Sequence, residues 1–193
     1  MKFQSMLRNS ALALELAKSA LRLAPRDEWS HWAMADGYGL AGQLEDAVAE
    51  CETALEINPN CTVILDALGY YLARLGRPQE SLEASRLALR LNPRDPGNYW
   101  RHHHMAIAHF MAADYTASRE ESRRVARSQR LLASDVMWAA AATALDKADE
   151  AQTALKYCLS QRPDLRVSIV PAVLPDLTSE RLLALLRKAG LPD

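Results

Sequence analysis

The chain has 193 residues, 49% hydrophobic and 24% charged, and its 23 basic and 24 acidic side chains leave a formal net charge of −1. That balance excludes a fibre, a disordered tail and a global field suited to nucleic acid, an anionic membrane or a polyanionic substrate. Its 33 Ala and 30 Leu against 17 Val, Ile and Thr exclude an extensive sheet. At the N-terminus, Lys2, Arg8, Glu15, Lys18 and Arg22 break up the apolar residues, so the uncharged stretch of a signal peptide is missing. The longest weakly polar run, Met137 to Leu145, is about half the ~20 residues of a membrane span. Cys51, Cys61 and Cys158 are odd in number and widely spaced, which fits a reducing compartment and a cytoplasmic location.

Repetition organises the elements. Ala20-Leu21-Arg22-Leu23-Ala24-Pro25, Ala54-Leu55-Glu56-Ile57-Asn58-Pro59 and Ala88-Leu89-Arg90-Leu91-Asn92-Pro93 end alike, and their prolines recur every 34 residues. Residues 1–25 read as a partial unit in which Ala13, Ala17 and Ala20 form the second half of a helical hairpin. The array therefore starts mid-repeat, or with a degenerate helix over Phe3 to Asn9. Residues 26–60 and 61–94 are complete units, each with a mid-unit turn, Leu40-Ala41-Gly42-Gln43 and Leu75-Gly76-Arg77-Pro78, where Gly ends one helix and the next begins. Residues 95–130 form a third unit behind a longer connection, and residues 131–164 a degenerate fourth. Residues 165–193 terminate the array: an apolar stretch from Val167 to Leu174, interrupted by Pro171 and Pro175, precedes an amphipathic helix over Ser179 to Ala189 with Leu182, Leu185, Leu186 and Ala189 on one face. Such a cap covers the apolar face that the last hairpin would expose.

The slots of the two complete units hold His31, Met34, Ala35, Tyr38, Ala47, Cys51, Ala54 and Pro59, then Leu65, Leu68, Gly69, Leu72, Ser81, Ser85, Ala88 and Pro93. On these residues the chain resembles the tetratricopeptide family. The resemblance implies an all-α, right-handed superhelical solenoid of antiparallel helix pairs forming one domain. It also implies a non-enzymatic, cytoplasmic scaffold that binds a peptide or helix of a partner protein in its concave groove. The run Leu186-Arg187-Lys188-Ala189-Gly190-Leu191-Pro192 looks like the C-terminal tails of certain bacterial adenylate or guanylate cyclases and winged-helix regulators. An alternative is therefore the detached regulatory tail of such a signalling protein, although no residue here matches a cyclase or DNA-binding domain.

Carried over slot by slot, the groove lining is Trp29, Trp32 and Asp36 in the first complete unit, Asp66, Tyr70 and Arg74 in the second, and Trp100, His103, Ile107, Phe110 and Met111 in the third. Such aromatic anchors give large contact area at small entropy cost. The family's clamp for an acidic C-terminal peptide is missing, because its slots hold Trp32, Asp66 and His103. A basic stripe of Arg119, Arg123, Arg127 and Arg130 is expected on the convex face, where it suits an acidic protein better than nucleic acid. The run His102-His103-His104 spreads its side chains about 100° apart on a helix, so no metal site is expected and no cofactor is called for. No phosphate loop, nucleophile elbow or zinc-protease motif occurs, so no catalytic residue is named. The helix over Ala11 to Leu23 lacks a full partner, which raises homodimerisation through the incomplete first repeat.

Overall fold

The computed structural model describes residues 2–128, 131–174 and 179–193, and their side chains except for 2–10 and 126–128. Its order is α1 (Lys2–Leu23), α2 (Glu28–Ala41), α3 (Leu44–Ile57), α4 (Thr62–Arg74), α5 (Pro78–Leu91), α6 (Asn98–Met111), α7 (Tyr115–Ser128), α8 (Leu132–Ala144), α9 (Ala148–Gln161), a 3-10 turn (Val167–Ile169), α10 (Val170–Val173) and α11 (Glu180–Lys188). Among the described residues there is no strand. The chain divides into two compact units, 1–95 and 96–193.

In the first unit α2 packs on α3 and α4 on α5, with α1 against α2 and α3 against α4. Residues 2–23 form one unbroken helix. Asp27 caps α2 by accepting a 2.8 Å hydrogen bond from the Ser30 amide. Gly42 and Gly76 turn the chain between paired helices with φ of 79° and 73°. The small slots let the paired helices approach: Ala47, Cys51 and Ala54 on α3 and Ser81, Ser85 and Ala88 on α5 are all fully buried. Ser81 tightens its pair further, its hydroxyl donating to the Gly69 carbonyl at 2.7 Å.

The second unit repeats this plan with α6 on α7 and α8 on α9. Ser118, Ser122 and Val125 on α7 and Ala151, Leu155 and Cys158 on α9 fill the buried slots. Ser118 donates to the Ala106 carbonyl at 2.8 Å, as Ser81 does to Gly69. The terminator is tied in at both ends. Ser179 caps α11 by accepting from the Leu182 amide, Gly190 stops it with φ of 95°, and the Val167 amide donates to the Pro192 carbonyl at 2.7 Å. Leu182, Leu183, Leu186 and Ala189 are buried on α11, whereas Leu185 is half-buried, so the apolar stripe is rotated toward Leu183 relative to its sequence reading. Pro175 lies outside the described residues.

α11 packs on α8, the first helix of the last pair. From there the Arg181 guanidinium donates to the Phe110 carbonyl at 2.7 Å and the Met111 carbonyl at 3.3 Å, both at the C-terminal end of α6. It also lies 5.0 Å from the Phe110 ring centre and 5.7 Å from that of Tyr115. At the other end Lys188 pairs with Asp146 at 2.8 Å, and Gln152 donates to the Ala189 carbonyl. The terminal segment is therefore folded against the first helices of its own unit.

Candidate functional site

In the first unit the residues expected to line a groove come together on α2 and α4. Trp29 is 47% exposed and meets Trp32 edge to face, with ring centres 5.8 Å apart. Tyr70 lies against Tyr71 at 5.2 Å, with the Arg74 guanidinium 5.3 Å from its ring centre. Trp32, Asp66, Tyr70 and Arg74 are half-buried. Asp36 accepts a 2.7 Å hydrogen bond from the Tyr71 hydroxyl. Burial pushes the Asp36 carboxyl above its ordinary range, against the lowering influence of that bond.

The second unit presents a different surface. Trp100 and Met111 are exposed, whereas His103, Ile107 and Phe110 are buried. Ile107 and Phe110 are therefore packing residues, with Arg181 of α11 lying over the Phe110 ring. His103 turns inward, its Nδ1 standing 2.8 Å from the Ser134 hydroxyl of α8. Burial, with His104 adding to it, pulls the His103 imidazole down to about 3, so the ring is neutral in the fold.

The remaining histidines also do structural work. His31 Nδ1 lies 2.7 Å from Glu50, and His102 Nδ1 lies 2.7 Å from Glu121, each joining the two helices of a pair. His109 is buried, with Asp114 at 3.4 Å. No cluster of three or more His, Cys, Asp or Glu suited to a metal ion occurs among the described residues. Cys51 and Cys158 are buried, and burial pushes both thiols up, that of Cys158 to about 12, which keeps them protonated and unreactive.

The arginine stripe is corrected by its neighbours. Arg119 forms a fork on Glu150 of α9 at 2.7 and 2.8 Å, and Arg123 lies 5.9 Å from the Trp138 ring centre. Glu150 also accepts from the Trp138 indole at 3.4 Å, and the Arg119 fork holds its carboxyl down to about 2. These two arginines bind successive helix pairs together instead of presenting a free cationic face. The Arg127 side chain and Arg130 lie outside the described residues.

The model for the tetratricopeptide repeat matches residues 64–95, which span α4, α5 and the turn after them. With helices paired in the same way on both sides of that segment, the fold is decided. It is a tetratricopeptide-type solenoid fold. Similar solved structures include PilW, described as a widely conserved type IV pilus biogenesis factor. It is 19% identical, with a TM-score of 0.72 over 92% of this chain and 98% of that one. Pseudomonas aeruginosa pilF is 14% identical, with a TM-score of 0.73 over 94% and 82% of the two chains. YrrB, described as a tetratricopeptide protein with an unusual peptide-binding site, is 15% identical, with a TM-score of 0.62 over 90% of each chain. At these identities the likeness is one of fold. No curated protein matches the chain. No helix among the described residues is long and apolar enough to cross a membrane.

Proposed function

We propose that the chain is a non-enzymatic protein-interaction scaffold that holds a peptide or helix of a partner protein against α2 and α4. The observation that carries this reading is the pair Trp29 and Trp32: a large aromatic surface left open to solvent on a rigid helix, fixed edge to face before any partner arrives. Preorganised aromatic anchors lose little side-chain freedom on binding, so more of their contact energy appears as affinity. Asp66, Tyr70 and Arg74 add polar contacts of both signs within the same unit. In the second unit α11 lies on α8, which favours the first unit as the receiving surface.

The test is partner capture from lysate, read by mass spectrometry, with the Trp29→Ala, Tyr70→Ala double variant as comparison. Loss of the captured proteins with unchanged far-UV circular dichroism supports the reading, and capture that survives the double substitution sinks it. The alternative, a detached regulatory tail, rests on the phrases Pro93-Arg94-Asp95-Pro96 and Ala108-His109-Phe110 and, chiefly, on the Leu186–Pro192 run. That run has a structural explanation: Leu186 and Leu191 are buried and Gly190 makes the left-handed stop between them.

A further inference from the structure

In every complete pair the second helix buries three slots beneath the first: Ala47, Cys51 and Ala54; Ser81, Ser85 and Ala88; Ser118, Ser122 and Val125; Ala151, Leu155 and Cys158. The corresponding positions of α1 are Ala13, Ala17 and Ala20. Ala17 is buried, but Ala13 and Ala20 are only half-buried. With Leu16 they form one wall of a cleft of about 440 Å³ whose other wall is Trp32, Ala33, Asp36, Gly37 and Leu40 of α2. In each unit a first helix packs against its own second helix and the first helix that follows, as α2 does on α3 and α4 and α6 on α7 and α8, so a cleft of this kind is shaped to take a helix. Around it Leu12, Leu16 and Leu40 are 60%, 62% and 65% exposed.

α1 also has 22 residues where α2, α3 and α5 have 14. Counted in the repeat register, second helices begin at the position of Ser10, so residues 2–9 prolong α1 by about two turns. The sequence of that extension carries Phe3, Met6 and Leu7 at helical spacing. Residues 2–14 include Lys2 and Arg8 and no acid, while Asp36 is the ionisable residue lining the cleft. A carboxylate closed off from water needs a cation beside it.

We propose that two copies of the chain pair about a two-fold axis running beside α1 at the level of Ala11, each laying residues 2–9 in the other's cleft between α1 and α2. The axis makes the inserted segment antiparallel to residues 13–20 of its host, the direction that a first helix takes against its second in each complete pair. Both clefts fill at once, and the contact is self-complementary, as a closed dimer requires.

Sedimentation equilibrium of the full chain tests this, together with disulfide capture. The expected mass is twice the 21.4 kDa of one chain. Leu16→Glu, placed on an exposed residue, is expected to give monomer with unchanged circular dichroism. In the proposed register residue 6 faces residue 16 of the other copy. Oxidising a mixture of Met6→Cys and Leu16→Cys chains is therefore expected to give a covalent dimer that wild type does not form. Either variant alone, with its like residues about 15 Å apart along the helix, is expected not to cross-link. A mass that stays at 21.4 kDa at every concentration overturns the proposal, as does a dimer that survives Leu16→Glu or cross-linking by either variant alone. Trp32 borders both the cleft and the proposed peptide surface, but residues 6 and 16 lie outside that surface and Trp29 and Tyr70 do not line the cleft, so the two tests use different residues and the failure of one is distinguishable from the failure of the other.

Discussion

At the turn between paired helices one residue always takes a left-handed backbone: Gly42 at φ 79°, Gly76 at 73°, Ala113 at 60° and Asp146 at 53°. The last two carry a Cβ in a conformation that disfavours it by about 1 kcal/mol. Asp146 is held there by Lys188, whereas Ala113 is exposed. Ala113→Gly is therefore expected to stabilise the fold by about 1 kcal/mol in urea titrations, and Gly42→Ala to destabilise it by about as much. His103 makes the fold sensitive to acid. Its imidazole is held near 3 in the fold and titrates near 6.5 once unfolded, so between those values the unfolded chain binds the extra proton. The stability that His103 contributes is complete above pH 6.5 and falls on acidification by up to about 1.4 kcal/mol per pH unit. His103→Gln, which can still hydrogen-bond Ser134 but does not titrate, is expected to flatten that slope between pH 6.5 and 4 in denaturation curves.

The helix pairs were legible because their punctuation is local: proline after α1, α3, α5 and α9, glycine at the first two turns, small residues at most of the slots. What covers each helix was less so. The spacing of Arg119 and Arg123 reveals that they share a face, but Glu150 and Trp138, 31 and 15 residues further on, decide that the face meets the next pair. Similarly, the Leu stripe of α11 announces an apolar face without naming α8 as its seat. Arg181 is the visible latch of that seat, donating to two carbonyls at the end of α6 and lying over Phe110. Arg181→Ala is expected to cost about 1.5 kcal/mol, in line with charged hydrogen bonds at a half-open site. Hydrogen exchange is the direct check: α8 amides lose protection in the variant while those of α4 keep theirs, and an unchanged α8 would mean that α11 is held by its leucines alone.

Across the whole molecule, the groove residues split between the two units for a reason that no single repeat contains. Trp29, Trp32 and Tyr70 face solvent wholly or in part, whereas His103 and Ile107, which occupy the slots of Trp32 and Tyr70, are buried in a unit that also holds the terminal segment. Slot position alone cannot distinguish these cases, because the covering residues come from a later hairpin, as Ser134, 31 positions on, does for His103. One internal contact recurs on a longer interval. His31 meets Glu50 and His102 meets Glu121 at the same 2.7 Å, yet in the pair between them the equivalent places hold Leu65 and Ala84. Recombination between hairpins therefore has a preferred stride. Exchanging the α2–α3 pair with α6–α7 moves each histidine together with its glutamate, whereas crossing over between the two helices into the neighbouring α4–α5 pair leaves one of them facing an aliphatic side chain. The module that can be transplanted is the intact hairpin, and its natural exchange partner lies two hairpins away.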